Sequence, residues 1–214
     1  MTETLFVISN YKNNLDWLDN YPNPKIIYDK SDSLPIADNV IKCPNVGHNI
    51  WDIANFCYEN YENLPGRIAF LQGWPFDHAT QEKLNEGLKE SGFVALESYD
   101  DIPENRGHRK DENKKYLEIN TSWYLHLDPP YEHRWYNSFD EFMNDMFSDY
   151  QHVDWIRFSP GAMYIARQEN ILYYSRNFWN KLMGTVGYAQ YTMEAHLLER
   201  AMYYIFTNTY KERL

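Results

Sequence analysis

The chain has 214 residues, of which 43% are hydrophobic and 17% aromatic, and its formal net charge is −11. A chain of this length suits one domain, here 1–214, since it buries about 70% of its unfolded surface on folding. The negative charge would repel a nucleic-acid backbone, so we expect no nucleic-acid partner. No stretch reaches the ~18 apolar residues of a membrane span.

The cysteine content and the N-terminus bear on the cellular compartment. The only two cysteines, Cys43 and Cys57, are too few for a zinc cluster or a disulfide scaffold. The first apolar run, residues 5–8, is too short for a signal sequence and has no basic region before it. These features predict reduced thiols and a cytoplasmic location.

The first half of the chain predicts alternating strands and helices. Short apolar runs bounded by polar residues, Gly or Pro are typical of buried strands, and apolar residues at helical spacing are typical of helices. The predicted strands are 5–8, 25–28, 40–41, 67–71 and 93–96, and the predicted helices are 50–61 and 80–91. This order predicts an α/β fold with a mostly parallel central sheet flanked by helices.

The second half begins with a charged stretch. Residues 99–115 contain almost no apolar side chains, which predicts a mobile loop, either a solvated insertion or a lid. Ser138 and Glu141 have the spacing of a helix capping box, and Gly184 is predicted to end a helix that starts at Ser175. The elements predicted after the loop are a helix, a strand and two helices, at 138–147, 161–166, 175–184 and 192–206.

Polar residues follow three of the predicted strands and precede the first helix. In open α/β sheets, ligands bind beyond the carboxyl ends of the parallel strands, so these residues are expected to share one edge. The candidate binding residues are Ser9, Asn10, Tyr11, Asp29, Lys30, Asn45, Gly47, His48, Gln72 and Trp74.

These residue types suit a nucleotide. Tyr11 offers a ring for stacking, Asp29 an acceptor for base or ribose, and the turn at Gly47 presents backbone NH groups at a helix N-terminus to a diphosphate. The chain contains neither a P-loop nor a GxGxxG motif, which disfavours classical nucleotide triphosphatases and dinucleotide oxidoreductases. Trp74 directly follows a strand and could pack against a sugar ring.

Asp77 and His78 are the predicted metal ligands. Mg²⁺ or Mn²⁺ would neutralise a diphosphate through one or two carboxylates, phosphates and waters, and an imidazole can add a ligand for Mn²⁺. The alternative is that Asp77 only caps the next helix and that His78 is a hydrogen-bonded structural residue.

Four short motifs stand out, namely Asn45-Val46-Gly47 before a helix, Leu64-Pro65 before a strand, Phe70-Leu71-Gln72-Gly73 followed by His78, and Gly161-Ala162 before a late strand. They resemble motifs of a family of small fungal and viral proteins catalogued as a domain of unknown function. That family is similar to GT-A glycosyltransferases, and the resemblance is strongest to the glycosyltransferase domains of large chlorella viruses. It spans roughly residues 7–206.

This resemblance implies a GT-A-like fold, a UDP-sugar donor, a glycan or glycoprotein acceptor and Mn²⁺ or Mg²⁺. It also implies the host cytoplasm as the location if the chain is viral. One departure is that the Asp-x-Asp triplet of such enzymes is absent, and Pro75-Phe76-Asp77-His78 stands in its place. Metal dependence is therefore less firmly implied than the fold.

An inverting transferase needs a carboxylate that deprotonates the acceptor, whereas a retaining one has no such simple base. The candidates are Glu194, Asp128 and Glu199. Glu194, at the start of the last helix, is the preferred hypothesis, although the helix dipole alone favours an acid there. Asp128 follows the strand-like residues 123–125. Two other function classes stay open: a non-catalytic carbohydrate- or nucleotide-binding module, and a metal-dependent phosphate-ester hydrolase.

Overall fold

The computed structural model describes residues 3–97, 107–121 and 131–213. Within these ranges the strands, β1 to β9, are Leu5–Asn10, Lys25–Asp29, Val40–Lys42, Arg67–Gln72, Val94–Ala95, His108–Lys110, Tyr116–Ile119, Trp155–Arg157 and Tyr164–Arg167. The α-helices, α1 to α6, are His48–Glu59, Gln81–Lys89, Phe139–Met146, Gln168–Leu172, Arg176–Val186 and Met193–Phe206. None of these helices is long and apolar enough to cross a membrane.

The central sheet has six strands in the order β3-β2-β1-β4-β9-β5. The first four of these are mutually parallel, while β9 runs antiparallel to both β4 and β5. The α/β class is confirmed, but the sheet is mixed. An apolar run indicates burial of a strand and not its direction, which is why β9 was not foreseen as antiparallel.

The strand order reverses between β1 and β4. The chain moves from β1 outward through β2 to β3, and β4 then pairs with the other side of β1. Where successive connections leave a parallel sheet in opposite directions, a crevice opens at the carboxyl ends of the strands. The fold therefore places a crevice beyond the ends of β1 and β4.

A second, antiparallel sheet consists of β6, β7 and β8. Its strand β6, His108–Lys110, falls inside the stretch 99–115 that was predicted to be a loop. Strand β6 is held by pairing with β7, as in Arg109 opposite Leu117, so its own side chains need not be apolar. Residues 99–106 of that predicted loop lie outside the described residues.

The central sheet separates two hydrophobic cores. Along β4, Ile68 and Phe70 face the larger core, and Ala69 and Leu71 face the smaller one. Such alternation follows from the two-residue period of a strand. In the larger core, Phe206 of α6 stacks on Phe70 with ring centroids 5.5 Å apart, which ties the last helix to the centre of the sheet.

Most predicted helix starts are confirmed by their caps, but one predicted end is wrong. The side chains of Thr80, Ser138, Ser175 and Thr192 each accept a hydrogen bond from a backbone NH three residues later. Helix α5, however, continues through Gly184 to Val186. Leu182 and Val186 are fully buried, so tertiary packing outweighs the helix-ending tendency of one glycine.

Candidate functional site

A cavity of about 230 Å³, here called the main cleft, opens beyond the carboxyl ends of β1 and β4 and beside the N-terminus of α1. The predicted binding and metal residues that line it are Ser9, Tyr11, Lys30, Asn45, His48, Gln72, Trp74 and Asp77. The lining residues that sequence reasoning missed include Asn13, Asn49, Gln190 and Tyr191. Strand ends thus predicted the place of the cleft, and the tertiary fold added residues from the segment before α6.

Three aromatic side chains stand at the main cleft with much of their surface in solvent. Tyr11, Trp74 and Tyr191 are 45%, 42% and 53% exposed. Such rings combine an apolar face with a hydrogen-bonding tip. Together with the amides of Asn13, Asn45, Asn49, Gln72 and Gln190, they suit a flat ligand rich in hydroxyl or amide groups.

A buried ion pair lies under the main cleft. The Nζ of Lys30 is 3.0 Å from an Asp52 carboxylate oxygen, and the two side chains are 3% and 1% exposed. Ser9 Oγ donates a hydrogen bond to the same carboxylate. Burial raises the pKa of Asp52 to about 6, and the charge of Lys30 opposes that shift. Asp52 was not among the predicted site residues. The pattern that could have identified it is an acidic residue next to Ile53 on the apolar side of α1.

Lys30 also fixes the start of α1. Its Nζ donates to the carbonyl oxygens of Val46 at 2.8 Å and His48 at 2.7 Å. Gly47 precedes the helix with a φ of +56°, and a Cβ there would lie 2.7 Å from Val186. The backbone NH of Gly47, predicted to face a diphosphate, instead donates to Ala189 O. The positive end of the α1 dipole stays directed at the cleft.

Two predicted binding residues have structural partners instead. The buried Asp29 carboxylate accepts hydrogen bonds from Lys42 Nζ at 2.7 Å, Leu34 N at 2.9 Å and Ser31 Oγ at 2.9 Å. Burial raises its pKa, but these hydrogen bonds outweigh burial and lower it to about 2. The Asn10 side chain is buried, and its Oδ1 accepts from Asn13 N. Both residues shape the loops around the cleft.

A second cavity of about 180 Å³, here called the histidine cavity, shares His48, Asn49 and Gln72 with the main cleft. Its other polar lining side chains are His78, His196 and Glu199. Asp77 lines the main cleft and His78 the histidine cavity, so the two predicted metal ligands face different spaces. Among the described residues, no group of three or more His, Cys, Asp or Glu side chains could hold a metal ion.

The wall between β4 and α6 is built around the peptide of Gly161. Its carbonyl oxygen accepts from Asn49 Nδ2 at 2.7 Å and Gln72 Nε2 at 3.3 Å, while its NH donates to Glu199 Oε1 at 2.6 Å. Its φ is +78°, and a Cβ would lie 2.7 Å from the ring of His78. Glycine is therefore required here by both the backbone conformation and the close approach of that ring.

The three candidate bases, Glu194, Glu199 and Asp128, differ in where they lie. Both Arg134 N and Trp135 N donate to Glu194 Oε1 at 2.8 Å, Tyr188 Oη donates to its Oε2, and the residue is fully buried. These contacts indicate a structural role for Glu194, and its role as a base stays an untested prediction. Glu199 lines the histidine cavity. Asp128 and the strand-like residues 123–125 lie outside the described residues.

No protein-family model, curated protein or solved structure matches the chain significantly. The place of the main cleft in the fold and the side chains around it are the features that bear on function.

Proposed function

We propose that the chain is a glycosyltransferase that binds a UDP-sugar in the main cleft and transfers the sugar to a glycan or glycoprotein acceptor. The observation that carries the proposal is the position of the cleft, at the carboxyl ends of β1 and β4 where the strand order reverses. Nucleotides bind at this point in open α/β sheets. The GT-A-like character of the fold belongs to the same proposal.

The side chains around the cleft match the parts of such a donor. Tyr11 and Trp74 supply exposed ring faces for the base and the sugar, and the neighbouring amides can hydrogen-bond hydroxyl groups. The diphosphate would lie near the N-terminus of α1, where the helix dipole attracts anions. Lys30 holds the N-terminus of α1 in place, but its own charge is balanced by Asp52, and its ammonium donates to Asp52 and to the carbonyl oxygens of Val46 and His48.

Asp77 fits a limited role toward a divalent cation. It is exposed on the wall of the main cleft, and Mg²⁺ commonly binds through one or two carboxylates together with substrate phosphates. Asp77 would thus hold one side of a Mn²⁺ or Mg²⁺ ion that the diphosphate also coordinates. The ion would neutralise charge on the leaving group.

UDP with Mn²⁺ is expected to raise the melting temperature of the protein, and GDP and CMP to raise it less. The cleft presents the exposed rings of Tyr11 and Trp74, and the resemblance to GT-A transferases favours a uridine nucleotide that also carries a diphosphate. At a ligand concentration 100 times its Kd, the stabilisation would be about 2.7 kcal/mol. A thermal-shift titration of the three nucleotides, with and without Mn²⁺, measures this. Equal shifts with all three would contradict selection of the base.

The substitution Asp77→Asn is expected to remove the Mn²⁺-dependent part of the UDP-induced stabilisation and to leave the fold intact. The side chain is exposed, so its replacement removes a metal ligand and little packing. Isothermal titration of UDP with and without Mn²⁺ measures the effect, and Asp38→Asn, at another exposed aspartate, is the matched control. If the folded Asp77→Asn variant still binds UDP more tightly with Mn²⁺ than without it, Asp77 does not bind the metal.

The second candidate function is a non-catalytic module that binds a carbohydrate or nucleotide. It is favoured by the contacts of Glu194, since the preferred base is bound to backbone NH groups. The two proposals differ in turnover. UDP release from UDP-glucose, UDP-galactose or UDP-N-acetylglucosamine supports the transferase, and UDP binding with no release from any of them supports the module.

A further inference from the structure

We propose that Gln190 and Tyr191 contact the sugar of the donor and that this sugar is uncharged, a hexose or an N-acetylhexosamine and not a uronic acid. This inference rests on the proposed function and names the class of sugar that the main cleft accepts.

The segment that carries Gln190 and Tyr191 is anchored on either side of these two residues. Before them, the carbonyl oxygen of Ala189 accepts a hydrogen bond from Gly47 N at 2.9 Å. After them, the side chain of Thr192 caps the first turn of α6. Both residues line the main cleft, so the anchored segment forms part of its wall. A wall fixed in this way can position a ligand group.

Tyr191 stands at the end of the cleft where the proposed function places the diphosphate. Its ring centroid lies 5.1 Å from that of His48, which is the first residue of α1. Tyr191 is 53% exposed, so a ligand in the cleft can reach its ring. The sugar of such a donor is joined to the outer phosphate, and a side chain beside the phosphates is therefore also close to the sugar. An aromatic ring offers the sugar an apolar face and a hydrogen-bonding tip.

The main cleft offers no positive side chain that could pair with a carboxylate on the sugar. Among its described lining residues the one Lys or Arg is Lys30, whose side chain is 3% exposed and whose charge is balanced by Asp52. Burial lowers the pKa of His48 to about 4, so its imidazole is neutral at pH 7. Asp77, also in the lining, is an exposed acid. A uronic acid would thus bring a negative charge that has no partner.

A bound divalent ion leaves this balance in place, because its charge is shared by Asp77 and the diphosphate. The ammonium of Lys12 lies 5.3 Å from the ring centroid of Tyr11, the proposed partner of the base, and Lys12 does not line the cleft. The net charge of −11 on the whole chain acts in the same direction. Like charges without a partner lower affinity and so select against the charged ligand.

The amide side chains of the cleft suit a neutral sugar. They belong to Asn13, Asn45, Asn49, Gln72 and Gln190. A side-chain amide contains both a hydrogen-bond donor and an acceptor, as a sugar hydroxyl does. An amide carries no charge, so it cannot neutralise a carboxylate. The lining therefore favours a ligand rich in hydroxyl or N-acetyl groups.

The first test compares donors that differ only in the oxidation of one sugar carbon. UDP-glucose is paired with UDP-glucuronate, and UDP-galactose with UDP-galacturonate. Isothermal titration in the presence of Mn²⁺ should give the uronate of each pair a Kd at least about tenfold higher, which corresponds to about 1.4 kcal/mol. A uronate that binds as tightly as its neutral counterpart would overturn the selection of an uncharged sugar.

The second test places a positive charge at the proposed sugar position. In Gln190→Lys, the Kd of the uronate relative to that of its neutral counterpart should fall by about tenfold. Gln151→Lys adds the same charge at an exposed residue that lines neither cavity, and it should change this ratio by less than about twofold. A folded Gln190→Lys variant with an unchanged ratio would show that the sugar does not lie beside Gln190.

The third test removes the ring of Tyr191. Tyr191→Ala should raise the Kd of the neutral UDP-sugar that binds best by about threefold to tenfold, and the Kd of UDP by less than about twofold. Tyr173→Ala is the matched control, since Tyr173 is 49% exposed and lines neither cavity. An equal loss for UDP and the UDP-sugar, or no loss for either, would contradict a contact between Tyr191 and the sugar.

The outcomes also separate this inference from the proposed function. A wild-type protein that does not bind UDP, or that binds UDP and none of the four donors, contradicts the proposed function. A protein that binds UDP and binds the neutral and acidic donors equally contradicts this inference alone.

Discussion

Replacing Asp52 with Ala is expected to lower the free energy of unfolding by about 3–5 kcal/mol, because the substitution leaves a buried charge without its partner. Lys30 lies within 3.0 Å of Asp52, and its side chain is only 3% exposed. The hydrogen bond from Ser9 would be lost as well. Urea unfolding of wild type and Asp52→Ala at pH 7 measures the difference.

A double variant and a surface variant complete that experiment. Lys30→Met with Asp52→Leu replaces both charges by apolar groups, so most of the lost stability should return. The exposed Asp38→Ala should change stability by less than about 0.5 kcal/mol. A loss below about 1 kcal/mol in Asp52→Ala would show that the carbonyl groups around Lys30 are sufficient partners for its charge.

Acidification from pH 7 to pH 3 is expected to remove about 3 kcal/mol of stability through two carboxylates, about 1 kcal/mol from Asp29 and about 2 kcal/mol from Glu199. Both groups have a folded-state pKa of about 2, below the ordinary values of 3.8 and 4.5. A carboxylate whose pKa is lowered by folding stabilises the folded state at every pH above its pKa in the unfolded chain. That stabilisation is lost as the pH falls toward and through its pKa in the folded state.

Two other groups modify the acid response. The pKa of His48, lowered to about 4, adds a loss of stability as the pH falls from 6.5 toward 4. The pKa of Asp52, raised to about 6, acts in the opposite direction, since its contribution is present at low pH and is lost as the pH rises through 6. The net loss therefore falls mainly below pH 4.

Urea unfolding at pH 7, 4 and 3 of wild type, Asp29→Asn and Glu199→Gln checks this. Each variant should be less stable than wild type at pH 7 and should lose less stability on acidification. Asp38→Asn is the control at an exposed carboxylate. Variants that follow the wild-type pH dependence would show that the two carboxylates are not favoured in their ionised form by the fold.

The residues of the main cleft were largely predictable because they follow the ends of apolar runs. Ser9, Tyr11, Gln72 and Trp74 come directly after or at the ends of β1 and β4, and both strands form where their apolar runs predict. A parallel pair brings two such ends to one edge of the sheet whatever the rest of the chain does. The order of these apolar runs along the sequence was therefore enough to predict where the cleft lies.

The partners of the acidic side chains were not predictable. Asp29, Asp52 and Glu194 are all buried acids, and the tertiary fold supplies their partners, which are Lys42 of β3, Lys30 and the backbone NH of Arg134 in turn. A local pattern shows that an acid follows a strand or starts a helix, and it cannot show which backbone NH or amine will lie within 3 Å. For this reason the sequence pattern predicts ligand binding by Asp29 and catalysis by Glu194 without indicating the partners that the fold gives them.

By itself the sequence determined the burial pattern, the helix caps and the strand ends, because these depend on residues within a few positions of one another. The tertiary structure decided the antiparallel direction of β9, the small second sheet and the meeting of His48, His196 and Glu199 at one cavity. His48 and His196 belong to α1 and α6, which are far apart in the sequence. Their approach depends on how both helices pack against one face of the sheet, which no local spacing encodes.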